Sequence, residues 1–115
     1  MRRGEIRLAD LEPVVGREAD KRRPVIIVSN DAANAAATRL GRGVVTVVPV
    51  TSNVNRVFAF QILLRADTTG LRVESKAQAE QVRSISTERI GAVVGRLPLE
   101  LMQRVDDALR LHQQL

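Results

Sequence analysis

Three groups of polar residues have types and positions suited to holding a phosphate. The first is Lys21-Arg22-Arg23, which stands directly before Pro24 at the junction of a loop and an apolar run. Because the residue before a proline is conformationally restricted, Arg23 would be presented rigidly. The alternative is a solvated loop in which the arginine forms a structural salt bridge.

The second and third groups lie farther along the chain. Thr51-Ser52 follows the strongest β-branched run, and these hydroxyls can hold a phosphate or can cap the strand end and begin a turn. Between Gln78 and Ser84, polar residues fill a segment that is otherwise strand-like. That pattern is typical of a groove wall and equally of an exposed edge strand.

The residue types that are missing restrict the chemistry. His112 is the only histidine and there is no cysteine, so neither a histidine pair nor a thiolate can act in catalysis. No cluster of Asp, Glu and His has metal-ligand spacing, and we expect neither a metal nor another cofactor. His112 is expected at the surface near a helix C-terminus. A nuclease built from this chain would therefore use Arg, Thr or Ser and a carboxylate.

The charge distribution suits a polyanion. The net charge is +5, and residues 98–115 carry −1, which leaves +6 on residues 1–97. Neutralising phosphates releases counterions, although the same charge also keeps a small domain soluble. Phe58 and Phe60 are the only aromatic residues, so ring stacking cannot be the main way to hold RNA. Without a membrane-spanning run or an apolar signal segment, a cytoplasmic protein is expected.

Short strands and one helix must position these groups. Alternating or β-branched runs predict strands over 4–10, 24–30, 44–51 and 58–66, with 71–74 and 77–85 as two more strands or one broken near Ser75. Residues 90–96 are a final short strand or a connector. Residues 11–23 are predicted as a loop and 31–38 as a short helix, while Pro49 suggests an edge position or a bulge. Pro98 and the apolar stripe after it predict a C-terminal helix. The order favours a mainly β (α+β) single domain over 1–115, a small barrel or sandwich with a packed helix.

Motifs along nearly the whole chain resemble one toxin family. They occur in the order and spacing of the MazF/PemK family, the toxins of bacterial toxin–antitoxin pairs. The motifs are Arg3-Gly4-Glu5-Ile6, Asp10-Leu11-Glu12-Pro13, Gly16 with Glu18, Arg23-Pro24-Val25, Val28-Ser29-Asn30-Asp31, Val48-Pro49-Val50-Thr51-Ser52 and Glu80-Gln81-Val82-Arg83-Ser84-Ile85. The resemblance implies an SH3-like β-barrel with a C-terminal helix, as in the CcdB/PemK fold group. It also implies a homodimer with an RNA groove at its interface and a cognate antitoxin as partner.

The resemblance also implies an activity and assigns residues to it. Family members cleave single-stranded RNA at short motifs without metal, leaving a 2′,3′-cyclic phosphate and a 5′-hydroxyl. The substrate's 2′-OH is the nucleophile, so Arg23 would stabilise charge on phosphorus and Thr51 would hold a non-bridging oxygen. Glu80 or Glu18 would act as general base. The expected RNA contacts are Arg17, Lys21, Arg22, Ser52, Asn53, Gln78, Gln81 and Arg83.

Two alternatives and two departures stay open at the level of sequence. A toxin of the same fold could bind DNA gyrase, as CcdB relatives do, but that group lacks the Arg-Pro plus Thr pairing. A barrel that binds RNA without cleaving it is the other alternative. Many relatives have an aromatic residue in place of Arg7 and a Tyr-Pro-Phe-like stretch in place of residues 58–60. These departures bear on the recognised RNA motif, which the 12–23 loop and residues 53–57 are expected to set.

Overall fold

A computed structural model describes residues 1–11 and 22–115. The strands are β1 (Glu5–Asp10), β2 (Arg22–Ile27), β3 (Val44–Thr51), β4 (Gln61–Leu64), β5 (Ser75–Gln78), β6 (Arg83–Ser86) and β7 (Ile90–Arg96). The helices are α1 (Asp31–Leu40), α2 (Ala66–Thr69) and α3 (Leu99–Gln113). The strands form one antiparallel sheet in the order β4-β5-β3-β2-β1-β7, and β6 also pairs with β3. The expected mainly β, α+β class is confirmed, although the sheet does not close into a barrel within the described residues.

β3 is the strand on which the sheet is organised. One side of it pairs with β2, and the other side pairs first with β6 and then, from Val50, with β5. Pro49 lies opposite Val25, inside the sheet, so the expected edge position is wrong. Val48 and Pro49 lie between the residues paired to β6 and those paired to β5. A residue without an N–H is tolerated at such a break in the ladder.

The continuous apolar runs of β2 and β3 are explained by two core clusters on opposite faces of the sheet. Ile26 and Val48 belong to the cluster under α3. Val25, Ile27 and Val47 belong to the other cluster, and all five of these side chains are fully buried. Successive residues of a strand point to opposite faces, so a strand buried on both faces has no polar alternation.

Capping residues explain where the helices begin and end. The Asn30 side chain caps α1 by accepting from the Ala33 N–H at 2.8 Å, and Gly41 ends the helix with φ of 69°. α3 follows Pro98, as expected, and buries Met102, Val105 and Ala108. Among residues 1–11 and 22–115, no helix is long and apolar enough to cross a membrane.

Local hydrogen bonds shorten or interrupt several predicted strands. Phe58 to Phe60 form a turn rather than a strand, because the Gln61 side chain and N–H both bond to the Phe58 backbone. Residues 71–74 form no strand, and the Leu71 N–H instead donates to the Thr69 hydroxyl. Ser75 begins β5, and the predicted 77–85 strand is interrupted by a 3₁₀ turn over Ala79–Gln81. Of the predicted 11–23 loop, residues 12–21 lie outside the described residues, while Arg22 and Arg23 begin β2.

Candidate functional site

Members of the three polar groups meet in one cleft of about 440 Å³. It is lined by Leu11, Arg23, Pro49, Val50, Thr51, Gln78, Gln81 and Arg83. The sheet register explains this meeting, because Val25 lies opposite Pro49 and the same register continued by two residues sets Arg23 opposite Thr51. On the other side of β3, Val50 pairs with Ala77 and Thr51 with Lys76, which brings Gln78 beside Pro49. β3 therefore brings Thr51 close to Arg23 on one side, and Gln78 enters the same cleft from the other side.

The cleft is suited to an anion. Arg23 and Arg83 are exposed and supply positive charge, while Gln78, Gln81 and Thr51 supply neutral donors and acceptors. No carboxylate lies among the described lining residues. In the same part of the chain, no three His, Cys, Asp or Glu side chains lie together as a metal site would need. Two guanidinium groups beside amide and hydroxyl donors can bind a phosphate from more than one side.

The Thr51 hydroxyl takes part in the turn after β3, one of the two roles that the sequence left open. Its Oγ1 accepts from the Asn53 N–H at 3.2 Å, and Asn53 Oδ1 in turn accepts from the Asn55 N–H at 3.2 Å. These bonds begin the turn after β3 and hold the hydroxyl in place. The Thr51 O–H donates to no other described residue, so its proton is available to an oxygen in the cleft.

Glu80 does not line the cleft. Its Oε2 accepts from Gln61 Nε2 at 2.7 Å, and its Oε1 is buried without a hydrogen-bond partner in the described part of the chain. Gln61 Oε1 accepts from the Phe58 N–H at 3.1 Å. The carboxylate therefore faces β4 and the turn before it. Sequence reasoning missed Gln61, for which the only signal was a polar residue at the start of an apolar strand.

A second cleft, of about 370 Å³, shares Arg23, Val50 and Thr51 with the first. Its lining also includes Arg22, Ser52 and Arg72 over an apolar floor that contains Leu8, Leu71 and Val94. Arg23 and Thr51 therefore stand between two clefts, one mainly polar and one partly apolar. Arg72 was not anticipated, because nothing local distinguishes it from other exposed arginines.

The structure describes only some of the other expected residues. Asn53 is exposed in the turn after β3. Arg17, Glu18 and Lys21 lie outside the described residues. His112 is exposed near the end of α3, as expected, and its ring lies 6.2 Å from that of Phe60.

Arg7, which replaces an aromatic residue common in relatives, has structural partners. Its guanidinium donates to Glu5 Oε1 and to the Gly91 carbonyl, each at 3.0 Å. Burial alone raises the pKa of Glu5, but the Arg2 N–H and the Arg7 side chain outweigh it and lower that pKa below its ordinary value of 4.5. Arg7 thereby connects β1 to β7.

Comparison of the sequence with known proteins finds relatives in one toxin family. The family model of PemK-like, MazF-like toxins of type II toxin–antitoxin systems matches residues 2–112. The chain is 59% identical over 115 residues, all of this chain and 98% of the relative, to endoribonuclease MazF9 of Mycobacterium tuberculosis. It is 30% identical over 112 residues, 96% of this chain and 92% of the relative, to endoribonuclease EndoA of Bacillus subtilis.

Solved structures agree on the fold. The toxin MazF-mt6 of Mycobacterium tuberculosis superposes with a TM-score of 0.78 at 24% identity, over 96% of this chain and 97% of that one. A mycobacterial endoribonuclease in complex with its cognate antitoxin gives a TM-score of 0.76 at 20% identity, over 100% of this chain and 96% of that one. At these identities the likeness concerns the arrangement of strands and helices.

Proposed function

The chain belongs to the PemK-like, MazF-like toxins of type II toxin–antitoxin systems, and from that premise we propose that it is an endoribonuclease that cuts single-stranded RNA at a short sequence motif. The observation that carries the proposal is the meeting of Arg23 and Thr51 in a positively charged cleft. The names of its relatives, endoribonucleases at 59% and 30% identity, support the same activity.

The proposed reaction uses the substrate's own nucleophile. The 2′-oxygen loses its proton to a general base and forms a bond to phosphorus, the bond to the 5′-oxygen breaks, and the 5′-oxygen is protonated by solvent. The products are a 2′,3′-cyclic phosphate and a 5′-hydroxyl. Arg23 stabilises the charge that develops on the phosphoryl oxygens and donates a hydrogen bond to the leaving 5′-oxygen. Thr51, already oriented by the Asn53 N–H, donates a hydrogen bond to a non-bridging oxygen. Every group in this scheme belongs to the chain, the RNA or the solvent, so no metal is required.

The two carboxylates receive different roles. Glu80 Oε2 accepts from Gln61 Nε2 at 2.7 Å, at the start of β4. Because Glu80 does not line the cleft, we assign it a positioning role. The general base that takes the 2′-OH proton is then Glu18, an assignment that rests on the family resemblance. Gln78, Gln81 and Arg83 contact RNA in the first cleft, and Arg22 and Ser52 in the second. Asn53, Arg17 and Lys21 complete the proposed RNA contacts.

The proposed partners follow from the family. A cognate antitoxin occupies the RNA site and blocks it, and two copies of the chain form the active homodimer. The protein acts in the cytoplasm, where its RNA substrate is found. The pairing of Arg23 with Thr51 argues against the gyrase-binding toxin, which has no need of a phosphate site.

The test is cleavage of a long unstructured RNA in excess EDTA, with the 5′ ends of the fragments mapped. The parent should cut at one recurring motif and leave 5′-hydroxyl ends, while Arg23→Ala should lose at least about a hundredfold in rate. Arg42→Ala, which removes an equally exposed arginine from the turn after α1, is the matched control and should cut like the parent. Glu18→Gln should abolish cutting, and Glu80→Gln should only slow it.

Failure would be informative in two ways. If Arg23→Ala cuts at the parent's rate, the site assignment is wrong although the activity stands. If the folded parent does not cut at all, the proposal is wrong, and inhibition of gyrase supercoiling becomes the next measurement.

A further inference from the structure

The segment between β3 and β4 stacks the chain's only two phenylalanines at its surface. The ring centroids of Phe58 and Phe60 are 5.4 Å apart and the ring planes differ by 4°. The Arg56 guanidinium carbon lies 5.1 Å from the centroid of Phe58, and His112 flanks Phe60. Phe58 is 43% exposed. We call Arg56, Phe58, Phe60 and His112 the planar stack.

Core packing does not account for the planar stack. Neither phenylalanine belongs to the buried residues of the two core clusters, which consist of aliphatic side chains, alanines and a methionine. An exposed aromatic ring under a cation is a common recognition element, because the cation and the ring attract each other and both present flat faces.

Buried polar groups hold the planar stack in place. Lys76 is 8% exposed, and its Nζ donates to the Arg56 carbonyl. Gln61 is 7% exposed, and its Oε1 accepts from the Phe58 N–H. Glu80 fixes the other end of the Gln61 amide at 2.7 Å. Three polar side chains thus order an exposed turn before any ligand arrives, which lowers the entropy cost of binding there.

The planar stack lies on a segment whose two ends are beside the first cleft. The segment that carries it starts at Thr51 and ends at Gln61, which lies opposite Gln78 in the β4–β5 pair. Directly opposed residues of an antiparallel pair have Cβ atoms about 5 Å apart. Thr51 and Gln78 both line the cleft. A nucleotide strand lying in the cleft would therefore reach the planar stack with an adjacent nucleotide.

We propose that the Arg56–Phe58 end of the planar stack binds one unpaired base of the substrate RNA, next to the cleavage site. This rests on the proposed endoribonuclease function. The base stacks on the Arg56 guanidinium, which lies over the Phe58 ring, and the Arg56 charge attracts the adjoining phosphate. A single-stranded nucleic acid offers a flat face and an anion at each nucleotide, which matches a planar cation supported by an aromatic ring. Because every base has a flat face, this contact strengthens binding with little dependence on base identity.

The experiment measures binding of a single-stranded RNA that carries the mapped motif and a 2′-O-methyl group at the cut position, which blocks cleavage. A series of such RNAs has one abasic nucleotide each, moved along the sequence outside the motif. For the parent, an abasic nucleotide at one position should weaken RNA binding about 10- to 100-fold relative to the intact RNA. For Phe58→Leu and for Arg56→Ala this penalty should largely disappear, because the Arg56–Phe58 pair that the base stacks on is already lost.

Two controls distinguish the loss of base stacking from a loss of folding and from the loss of one positive charge. Arg39→Ala removes an exposed arginine from α1 and should keep the parent's abasic profile. The thermal midpoint of Phe58→Leu should stay close to that of the parent, since Phe58 is not in the core.

Three outcomes would overturn the proposal. If Phe58→Leu and Arg56→Ala keep the parent's abasic profile, no base stacks here, although cleavage by the parent in EDTA would leave the endoribonuclease intact. If these variants bind RNA like the parent but bind the antitoxin less tightly, the planar stack is a protein contact. If the parent neither binds nor cuts RNA, the proposed function fails together with the stacking site.

Discussion

Glu5 and Arg7 show how a single substitution is accommodated by its neighbours. The two residues lie two positions apart on β1 and therefore on one face of the strand, where their side chains are 16% and 21% exposed. Arg7 could not replace an aromatic ring by packing alone, because a half-buried guanidinium needs acceptors. The Glu5 carboxylate and the Gly91 carbonyl provide them. Through these two acceptors Arg7 joins β1 to β7, and it does not line either cleft.

This pair predicts a pH-dependent contribution to stability. The pKa of Glu5 is lower in the folded state than its ordinary value of 4.5. A lowered pKa means that its stabilisation is present above the unfolded pKa and is lost as the pH falls through the folded pKa. Glu5→Gln should thus lower the free energy of unfolding by about 1 kcal/mol at pH 7, the usual size for such a bond near the surface.

Urea unfolding at several pH values between about 3 and 7 would measure this effect. The difference between Glu5→Gln and the parent should shrink toward the acid end. Glu88→Gln changes an exposed carboxylate and should show little difference at any pH. A difference for Glu5→Gln that stays constant across the range would contradict the assignment.

At the scale of elements, the sequence correctly predicted the strands and the helix that are determined by their own pattern of apolar residues. β3 and β7 have the predicted bounds, and the apolar stripe of α3 is the one that is buried. The 3₁₀ turn after β5 escaped prediction because polar residues alternate through it as they would in a strand. The turn at Phe58 depends on the Gln61 side chain, whose orientation is set by Glu80 from another element. Arg23 and Thr51 were singled out by residue type and position, and the family resemblance assigned their roles, whereas Arg72 enters the second cleft only through tertiary packing.

The contact between α2 and β7 depends on two glycines. A Cβ atom built on Gly95 would lie 2.1 Å from the Thr69 carbonyl oxygen, and Gly70 has φ of 88° directly opposite it. Gly95→Ala must therefore push two backbones apart, at a cost of about 3 kcal/mol or more in the free energy of unfolding. Gly41→Ala is the comparison, since its Cβ would meet nothing within 4 Å and only its φ of 69° is unfavourable.

Denaturant unfolding of both glycine variants tests that packing. Gly41→Ala should cost about 1 kcal/mol, the penalty of a left-handed backbone for a residue with a Cβ. Equal losses in the two variants would mean that α2 and β7 are not in close contact in solution. Gly70 and Val94 also line the second cleft, so the same contact shapes the site.

At the scale of the whole molecule, two core clusters share strands and the charge is uneven. β2 and β3 contribute to both clusters, and the single domain over 1–115 stays a prediction. The charge excess of residues 1–97 is brought to the two clefts by β2, β6 and the segment after α2, which supply Arg22, Arg23, Arg83 and Arg72. In the proposed function, the long-range attraction for RNA and the local phosphate contacts therefore come from the same surface.

This arrangement predicts how strongly salt opposes RNA binding. For single-stranded nucleic acid, each phosphate neutralised contributes about 0.7 to the slope of log affinity against log salt concentration. With the four cleft arginines as the described contacts, the slope should be about −3 or steeper. Arg72→Ala should make the slope shallower by about 0.7 if the second cleft holds a phosphate.

Titrating the uncleavable RNA at four or more salt concentrations measures both slopes, and Arg39→Ala serves as the charge-matched control outside the clefts. A control slope equal to that of the parent, together with a shallower slope for Arg72→Ala, would assign the second cleft to the RNA path. If Arg72→Ala and Arg39→Ala behave alike, RNA does not enter the second cleft, and the first cleft must account for binding alone. A slope near zero for the parent would contradict phosphate binding by these arginines altogether, because contacts between opposite charges at an exposed surface cannot be insensitive to salt.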